Sequence, residues 1–432
     1  MKLKGLVLVL GLCFVPFLAA QEEIPVWNLN SCVAFAKEHN ITIKQSRVRL
    51  ESSTVDVKQA KAAYWPNLSF SVGQNYSNQP YGVVKNSYSG NYGFNASWTV
   101  FDGSRPKNID QQQLNEQIAV LDVIQEENTI TEAIIRVFTQ ILYAQEAVTT
   151  NNNTVAVSAA QRDRSLELYN SGAISVSDYT QIVSQYSTDV YTLTTSQASL
   201  RNYQLQLKQL LELNAEVDMM IDSVIYPEKL VLSPLPSRTA VYEAALGIRP
   251  EIASSKINIE VSELSIDKAK ASYLPSLSLS AGSGLLHSTA SDFTFSEQLK
   301  SNWSNSIGVS LSVPIVSGRT TKSAVEKAKL QKVLSDLSYL DQQKTLLKTI
   351  DSFWLDAQSA QDQYRAAMEK KQATQVSYDL VNEQFNLGMK TATDLLSAKN
   401  NYMASQQEVL QAKYMAIYNT NMLRFYQGEP LK

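Results

Sequence analysis

The sequence contains few of the residues from which catalytic and metal sites are usually built. Its 432 residues include two histidines and two cysteines, and charged residues make up 18% with a net charge of −3. Neither His39 nor His287 lies in a pattern of potential ligands or nucleophiles, and no phosphate-binding loop occurs. We therefore expect no catalytic site, no metal site and no cofactor. The lack of a basic surface argues against nucleic acid as a partner.

The shortage of cysteine also excludes a disulfide within the exported chain. Cys13 lies in an apolar run, Leu6–Ala20, that follows two lysines and ends in two small residues. This pattern is typical of a signal peptide, here residues 1–20. A membrane anchor is the alternative, but the run is shorter than the roughly 20 apolar residues that span a bilayer. After cleavage Cys32 would be the single cysteine.

Glycine and proline are missing from two long stretches, residues 107–169 and 320–387. Nothing there interrupts a helix, and at about 1.5 Å per residue each stretch could extend roughly 90–100 Å. Apolar residues recur every seven positions in the chain that follows the first stretch, which indicates coiled-coil packing. The helices predicted from the sequence span about residues 30–65, 105–170, 176–213, 250–274, 318–387 and 393–426.

The chain also repeats itself. The segment 62–73 returns at 271–282, and a Gly172 to Asp178 segment returns as Gly388 to Asp394. Repetition at about half the chain length predicts a duplicated structural unit. We divide the chain into a first repeat at 21–213, a proline-containing connector at 214–240, a second repeat at 241–428 and a tail at 429–432.

Each repeat holds two segments in which apolar and small polar residues alternate, as in strands with one apolar face. They span residues of about 67–76, 92–101, 276–285 and 303–313. Their length suits tilted membrane-spanning strands, whereas an ordinary sheet on a soluble core is the alternative. The predicted lipid-facing residues are Leu68, Phe70, Val72, Phe94, Trp98, Leu277, Leu279, Val309 and Leu311.

Four strands cannot close a barrel, since single-chain barrels begin at about eight strands. An open sheet edge in lipid would leave backbone N–H and C=O groups without partners. If these strands span a membrane, several copies of the chain must therefore share one barrel.

Glycines are placed where each long helix is expected to reverse direction. Gly172 and Gly388 suit a left-handed residue at a helix end. Asp178 and Asp394 follow at the start of the returning helices, where a carboxylate caps free N–H groups. The sequence does not decide between a capping role and a functional role for these two aspartates.

Taken together, these features resemble the TolC family of outer-membrane efflux and secretion channels. The resemblance rests on the Arg249-Pro250-Glu251 turn, Pro66 and Pro275 before strands, Phe101-Asp102-Gly103 after a strand, and the two Gly-to-Asp tips. It implies a mainly α fold with a small β part. In that fold a long antiparallel α-helical barrel is continued by a transmembrane β-barrel of four strands per chain, completed in a homotrimer.

The resemblance also implies a function: a passive exit channel of a tripartite efflux or type I secretion system, in the outer membrane and reaching into the periplasm. Its partners would be a periplasmic adaptor (a membrane fusion protein), an inner-membrane pump of the resistance-nodulation-division or ABC type, and outer-membrane lipid. A surface-anchored coiled-coil rod without transport remains the alternative.

Specific residues of a periplasmic gate follow from the resemblance alone. Ser177, Asp178 and Lys390 match lock residues, and Asp394 matches an acid of the constriction. Two positions depart from the family pattern: Phe385 stands where some members have Tyr, and Ser397 where a second Asp often lies. The candidate adaptor-docking residues are Gly172, Ala173, Ile174, Gly388 and Met389.

Overall fold

A computed structural model describes residues 26–82, 84–216, 218–222 and 227–430. The predicted signal peptide, residues 1–20, lies outside the described residues. The elements are β1 (Val26–Trp27), α1 (Leu29–His39), α2 (Ile41–Ala62), β2 (Asn67–Asn78), β3 (Asn86–Phe101), α3 (Ser104–Asn170), α4 (Val176–Leu210), β4 (Met220–Ile221), α5 (Glu228–Val231), α6 (Arg238–Ile248), α7 (Pro250–Ala271), β5 (Ser276–Ser288), α8 (Phe295–Ser301), β6 (Trp303–Ser312), α9 (Thr320–Asn386) and α10 (Ala392–Gln427).

The two halves share one order of main elements, two helices, two strands and two longer helices, and the second half adds the short helices α5 and α8. α1 and α2 have 11 and 22 residues, as do α6 and α7, and α3 and α9 each have 67 residues. At about 1.5 Å per residue, α3 and α9 each extend about 100 Å. The predicted fold class, mainly α with a small β part and an internal duplication, is confirmed.

The first predicted helix, about 30–65, is wrong as a single helix because the chain bends at Asn40. The backbone of Asn40 is extended, and its side-chain oxygen accepts from the N–H of Thr42 at 2.9 Å, which caps α2. Its Nδ2 donates to the carbonyl of Leu210 at 2.9 Å. A side chain that satisfies the start of one helix and the end of another stabilises this break.

Other bounds differ from the sequence-based ones for local reasons. β3 begins at Asn86 rather than near residue 92, because its first residues pair with the far end of β2. The connector proposed at 214–240 contains β4, α5 and the start of α6, and β4 pairs in parallel with β1. The connector is thus tied to the beginning of the described chain.

Arg249 occupies the position in the second half that Asn40 has in the first, and it is held in a buried cluster. Its Nη2 lies 3.1 Å from Glu132 of α3, and its Nε lies 2.9 Å from Glu251. The guanidinium stacks 4.3 Å above the ring of Tyr426. Burial raises the pKa of Glu132, and the charge of Arg249 opposes that rise. The Arg-Pro-Glu turn therefore joins α7, α3 and α10.

The four long strands form one antiparallel sheet in the order β2-β3-β5-β6. The register pairs Phe70 with Phe94, and Trp98 with Leu279, which pairs in turn with Val309. All nine residues predicted to face lipid consequently lie on one face of the sheet. Asn305 interrupts this face, but its side-chain oxygen accepts from the Ser283 hydroxyl at 2.7 Å. The two edge strands, β2 and β6, each have one unpaired side in the single chain.

The strands continue directly into the helices at one end of the sheet. Between β3 and α3, the Asp102 carboxylate accepts from the N–H and the hydroxyl of Ser104, both at 2.8 Å. A Cβ on Gly103 would lie 2.7 Å from the end of the Leu274 side chain, so a larger residue there would require Leu274 to move. The Phe101-Asp102-Gly103 sequence thus caps α3 and lets it pack beside the start of β5.

The main hydrophobic core lies in the middle of the helical part and takes most of its buried side chains from α1, α3, α6, α9 and α10. Its fully buried members include Ile134, Ile141, Ile350 and Leu423. Cys32 belongs to this core, is fully buried, and has its thiol pKa raised to about 12 by burial.

None of the helices in the described residues is both long enough and apolar enough to cross a membrane.

We predict that Arg249→Ala lowers stability far more than Arg238→Ala. Removing one partner of a buried ion cluster strands its carboxylates and costs about 3–5 kcal/mol. Arg238 lies 3.7 Å from Asp351 with both side chains partly exposed, so its loss should cost about 1 kcal/mol. Thermal unfolding followed by circular dichroism in detergent would measure both. Equal shifts of the midpoint would contradict a structural role for the buried arginine.

Candidate functional site at the helical tips

The two helical hairpins, α3–α4 and α9–α10, end in turns of the same geometry. Gly172 and Gly388 have φ angles of 76° and 75°, in the left-handed region. The N–H of Ala173 donates to the carbonyl of Leu168 at 2.9 Å, and that of Met389 to Gln384 at 2.8 Å. Each hydrogen bond closes the end of a 67-residue helix, as in a Schellman motif.

The two returning helices, α4 and α10, begin with capping boxes of the same geometry. Ser175 caps α4 and Thr391 caps α10, and each hydroxyl accepts from the N–H of the aspartate three residues on. The Asp178 carboxylate accepts from the Ser175 hydroxyl at 2.7 Å, and that of Asp394 from the Thr391 hydroxyl at 2.9 Å. Both aspartates therefore hold the tip turns in shape, in addition to any role at a gate.

The electrostatics of the second tip follow from this cap. The pKa of the Asp394 carboxyl lies below its usual range, chiefly because the Thr391 N–H donates to it, followed by the Thr391 hydroxyl and the charge of Lys390. A carboxyl with a lowered pKa stabilises the fold above its unfolded pKa, and this contribution is lost as pH falls through the lower folded value. The ionised form of Asp394 is thus retained to lower pH.

The candidate gate residues lie close to the tips but do not contact one another across the two hairpins. Ser177, Lys390 and Asp394 are exposed, and Asp178 is half-buried. In the described chain no ion pair joins Lys390 to Asp178. The hairpins meet instead through a pair that the sequence did not indicate, the Thr393 hydroxyl donating to Gln181 Oε1 at 3.3 Å.

The candidate docking residues form the outermost surface of both turns. Gly172, Ala173, Gly388 and Met389 are exposed, and Ile174 is half-buried. The Met389 side chain is 70% exposed, and two neighbouring apolar side chains add to this surface, Val176 at 59% and Leu387 at 74%. The tips thus present apolar side chains in open solution.

A small core lies behind the tips, separate from the main core. It contains Ile182 of α4, Tyr378 and Phe385 of α9, and Ala392 and Leu395 of α10, with Leu168 of α3 packed against it. Phe385 is 6% exposed, and its ring lies in this core at the position where some members of the family have a tyrosine. We call residues 158–189 and 378–402, which contribute to this region from all four helices, the tip bundle.

A buried ion pair closes the tip bundle on the side of the main core. Lys399 Nζ of α10 lies 2.6 Å from Asp189 Oδ2 of α4, and the two side chains are 3% and 1% exposed. Lys399 Nζ also lies 2.5 Å from the Ser158 hydroxyl of α3. Gln185 donates to the second Asp189 oxygen at 2.9 Å. No local sequence pattern indicates this cluster, because Lys399 lies 210 residues from Asp189 along the chain.

A second polar contact lies one turn nearer the tips. The Gln161 amide of α3 donates to the Tyr378 hydroxyl at 2.7 Å and to Asn382 at 3.3 Å, both in α9. Tyr378 also stacks on Tyr402 of α10. Together with the ion pair, these contacts connect each helix of one hairpin to the other hairpin.

No group of three or more potential metal-ligating His, Cys, Asp or Glu side chains occurs within the described ranges. The contacts described at the tips are ion pairs, hydrogen bonds and apolar contacts.

Comparison with known proteins gives consistent results. The family described as outer membrane efflux protein matches residues 34–212 and 241–429. The chain is similar to the outer membrane efflux protein BepC of Brucella suis, with 23% identity over 393 residues, 89% of this chain and 82% of that protein. It is also similar to the outer membrane protein TolC of Escherichia coli, with 20% identity over 409 residues, 91% and 80% of the two chains.

Among solved structures, the outer membrane protein VceC of Vibrio cholerae superposes with a TM-score of 0.73 and 16% identity, covering 94% of this chain and 97% of that one. At such low identity the superposition shows a common fold.

We predict that Gly388→Ala loosens the second tip, whereas Gly247→Ala does not loosen its helix. A Cβ at either position meets nothing within 4 Å, so the two substitutions differ only in backbone conformation. A left-handed alanine costs about 1 kcal/mol, while alanine inside α6 gains about 0.5–1 kcal/mol. Amide hydrogen exchange at the 387–391 turn should be roughly fivefold faster in Gly388→Ala. Unchanged exchange there would contradict the strained geometry of the turn.

Proposed function

Because the chain belongs to the outer membrane efflux protein family, whose members are channels of the outer membrane, we propose that three copies form one continuous exit conduit. In this assembly the sheets form a barrel in the membrane, and the helices extend it as a tube into the periplasm. The observation that carries the proposal is a four-stranded sheet with two unpaired edges, joined directly to helices about 100 Å long.

The sheet edges support the closed ring of copies. Within one chain, β2 and β6 each lack a partner on one side. Pairing β6 of one copy with β2 of the next is a head-to-tail contact that closes into a ring. Three copies supply twelve strands, which lies within the range of known membrane barrels. No backbone group of a strand edge would then face lipid unpaired.

Exposed apolar stripes on the helices support the same assembly. On α2, Ile41, Val48 and Val55 recur every seven residues and are 53%, 63% and 57% exposed. α9 carries a longer stripe of apolar side chains that are each at least 50% exposed: Leu330, Val333, Leu334, Leu337 and Leu340. Heptad stripes of this kind pack against other helices. We assign them to neighbouring copies of the chain, since the sheet edges require such neighbours.

The conduit is passive, and its partners supply energy and control. We propose that a periplasmic adaptor binds the exposed tips, with Gly172, Ala173, Ile174, Gly388 and Met389 as docking residues. An inner-membrane pump of the resistance-nodulation-division or ABC type would load the cargo. The apolar side chains around these tips support a docking role, because exposed apolar groups at the rim of a tube gain most from being covered.

We further propose that Lys390 of one copy pairs with Ser177 and Asp178 of a neighbouring copy and so holds the tube closed. Within one chain Lys390 has an exposed position and no ion pair among the described residues. Asp394 would line the narrow end. An exposed pair is worth only about 0–1 kcal/mol, but threefold repetition gives a bias of a few kcal/mol, enough for a gate.

A surface rod without transport is the less supported function. A rod requires coiled-coil helices but has no use for a sheet that carries nine large apolar side chains on one face. Those residues are the lipid-facing candidates Leu68, Phe70, Val72, Phe94, Trp98, Leu277, Leu279, Val309 and Leu311.

The assembly has a direct test. Protein extracted from outer membranes with detergent should have the mass of three chains by light scattering, and should migrate faster after boiling. A monomer that remains folded and membrane-inserted would contradict the proposal. Release from membranes by salt alone would favour the rod.

The gate has a separate test in planar bilayers. Lys390→Ala should raise single-channel conductance, because it removes the cation of each proposed contact between copies. Lys329→Ala changes an exposed lysine of α9 far from the tips and serves as the matched control. Both variants must remain trimeric. Equal conductance of the two variants would count against Lys390 as a lock residue.

A further inference from the structure

We propose that a groove between α3, α4 and α10 binds small planar aromatic carboxylates, which would be one class of cargo for the conduit. This tyrosine groove is formed chiefly by Arg136, Tyr143, Tyr203, Tyr414, Met415 and Tyr418. These residues come from both helical hairpins of one chain. The inference rests on the proposed function, because it names a substrate class for the same passage.

The tyrosine groove has the size and the composition of a small-molecule site. Its volume is about 440 Å³, and ligand sites with mainly aromatic and apolar walls span roughly 300–1,000 Å³. The rings of Tyr143 and Tyr414 meet edge to face, with centroids 6.0 Å apart. Tyr418 is held in the same way by Phe353, at 6.2 Å. Because neighbours already fix these rings, a flat ligand can stack on them with little loss of side-chain freedom.

The charge at the tyrosine groove favours an anion. Arg136 is the single charged residue among the described residues that line it, is exposed, and forms no ion pair with a described carboxylate. Two carboxylates next to the groove, Glu146 and Glu132, are already paired with Lys413 and Arg249. A guanidinium without such a partner can bind a carboxylate through two parallel hydrogen bonds. A ligand with a flat ring and one carboxylate therefore matches both the rings and the cation.

The helical scaffold itself does not require these side chains. α3 and α9 have the same length and begin 216 residues apart (320 − 104 = 216). At the positions of α9 that correspond to Arg136 and Tyr143, the second half of the chain has Ser352 and Ser359, and both are exposed. The same helix thus forms the same hairpin with small polar residues at these positions. The cation and the ring are a feature of the groove and not of the repeated unit.

The tyrosine groove opens toward the passage of the proposed tube. At about 100° per residue, Arg136 lies about 200° around α3 from Ile134 and about 140° from Ile141, which are fully buried in the main core. That core includes α1 and α6. We place these short helices outside the tube, because inside it they would fill the passage. The opposite side of α3 then faces the passage, and Met415, 49% exposed, borders the groove there.

The first test measures binding of naphthoate to the complete assembly in lipid nanodiscs, by equilibrium dialysis with empty nanodiscs subtracted. Binding should saturate at one naphthoate per chain. Arg136→Gln should weaken it about tenfold or more, because the ligand carboxylate loses its charged partner. Tyr203→Leu should weaken it roughly fivefold, because one stacking ring is lost. The absence of saturable binding would overturn the inference.

Two exposed residues of α4 outside the tyrosine groove provide matched controls. Arg201→Gln removes an exposed arginine, and Tyr191→Leu removes a tyrosine that is 73% exposed. Both variants should bind naphthoate as the unchanged protein does. Naphthol lacks the carboxylate, so its binding should not respond to Arg136→Gln. Equal losses of naphthoate binding in Arg136→Gln and Arg201→Gln would indicate attraction to any positive charge and would overturn the inference.

The second test locates the ligand and the passage. Met415→Cys places a thiol at the groove, and Cys32 is fully buried and will not compete for a negatively charged methanethiosulfonate reagent. Naphthoate at ten times its dissociation constant should slow this modification roughly tenfold, because only the unoccupied groove reacts. Modification of Tyr191→Cys should not slow. Equal rates with and without naphthoate at Met415→Cys would contradict binding in the groove.

Attachment of the same reagent at Met415→Cys should also lower single-channel conductance in planar bilayers, since the added group would lie in the passage. Unchanged conductance after complete modification would overturn the placement of the groove in the passage. If the protein conducts in no form, the proposed conduit fails, while dialysis still decides whether the groove binds aromatic carboxylates. If the protein conducts but binds no naphthoate, the assignment of the groove alone is wrong.

Discussion

The requirement that every backbone N–H and C=O group in a membrane has a hydrogen-bond partner governs this molecule. One chain supplies four strands and leaves the outer sides of β2 and β6 unpaired. A helix satisfies its own backbone, but a sheet does so only when it closes. In the proposed assembly the sheets of several copies close one barrel, and the helices would take on the symmetry of that barrel because each strand is connected to one of them.

Much of the architecture could be predicted from the sequence because the signals are periodic and local. Alternation with period two located the strands, the lack of glycine and proline located α3 and α9, and the repeat related the two halves. The break at Asn40 was not predicted: the capping of α2 by Asn40 is local, but the hydrogen bond that also holds this side chain goes to Leu210, 170 residues away. The buried cluster of Arg249 likewise depends on Glu132 and Tyr426, which are remote in the chain.

At the tips, the sequence located the turns and the aspartates but not what holds them. The N-cap residues are Ser175 and Thr391, each three positions before the aspartate for which the sequence suggested capping. In the sequence, Lys399 and Asp189 each resemble a charged residue on the solvent-exposed face of a helix. They become buried only because three helices pack together at this point. Periodicity reports which face of one helix is apolar. It carries no information about which charge of another helix lies opposite.

The buried position of Cys32 has a consequence for biogenesis. Thiol–disulfide exchange requires a thiolate in contact with its target, and a thiol with a pKa of about 12 and no exposure meets neither condition. In an oxidising compartment the finished protein is consequently inert to exchange, whereas a chain that has not yet packed α1 against α3 is reactive. A mixed disulfide at Cys32 would therefore mark molecules in which α1 had not yet packed into the core.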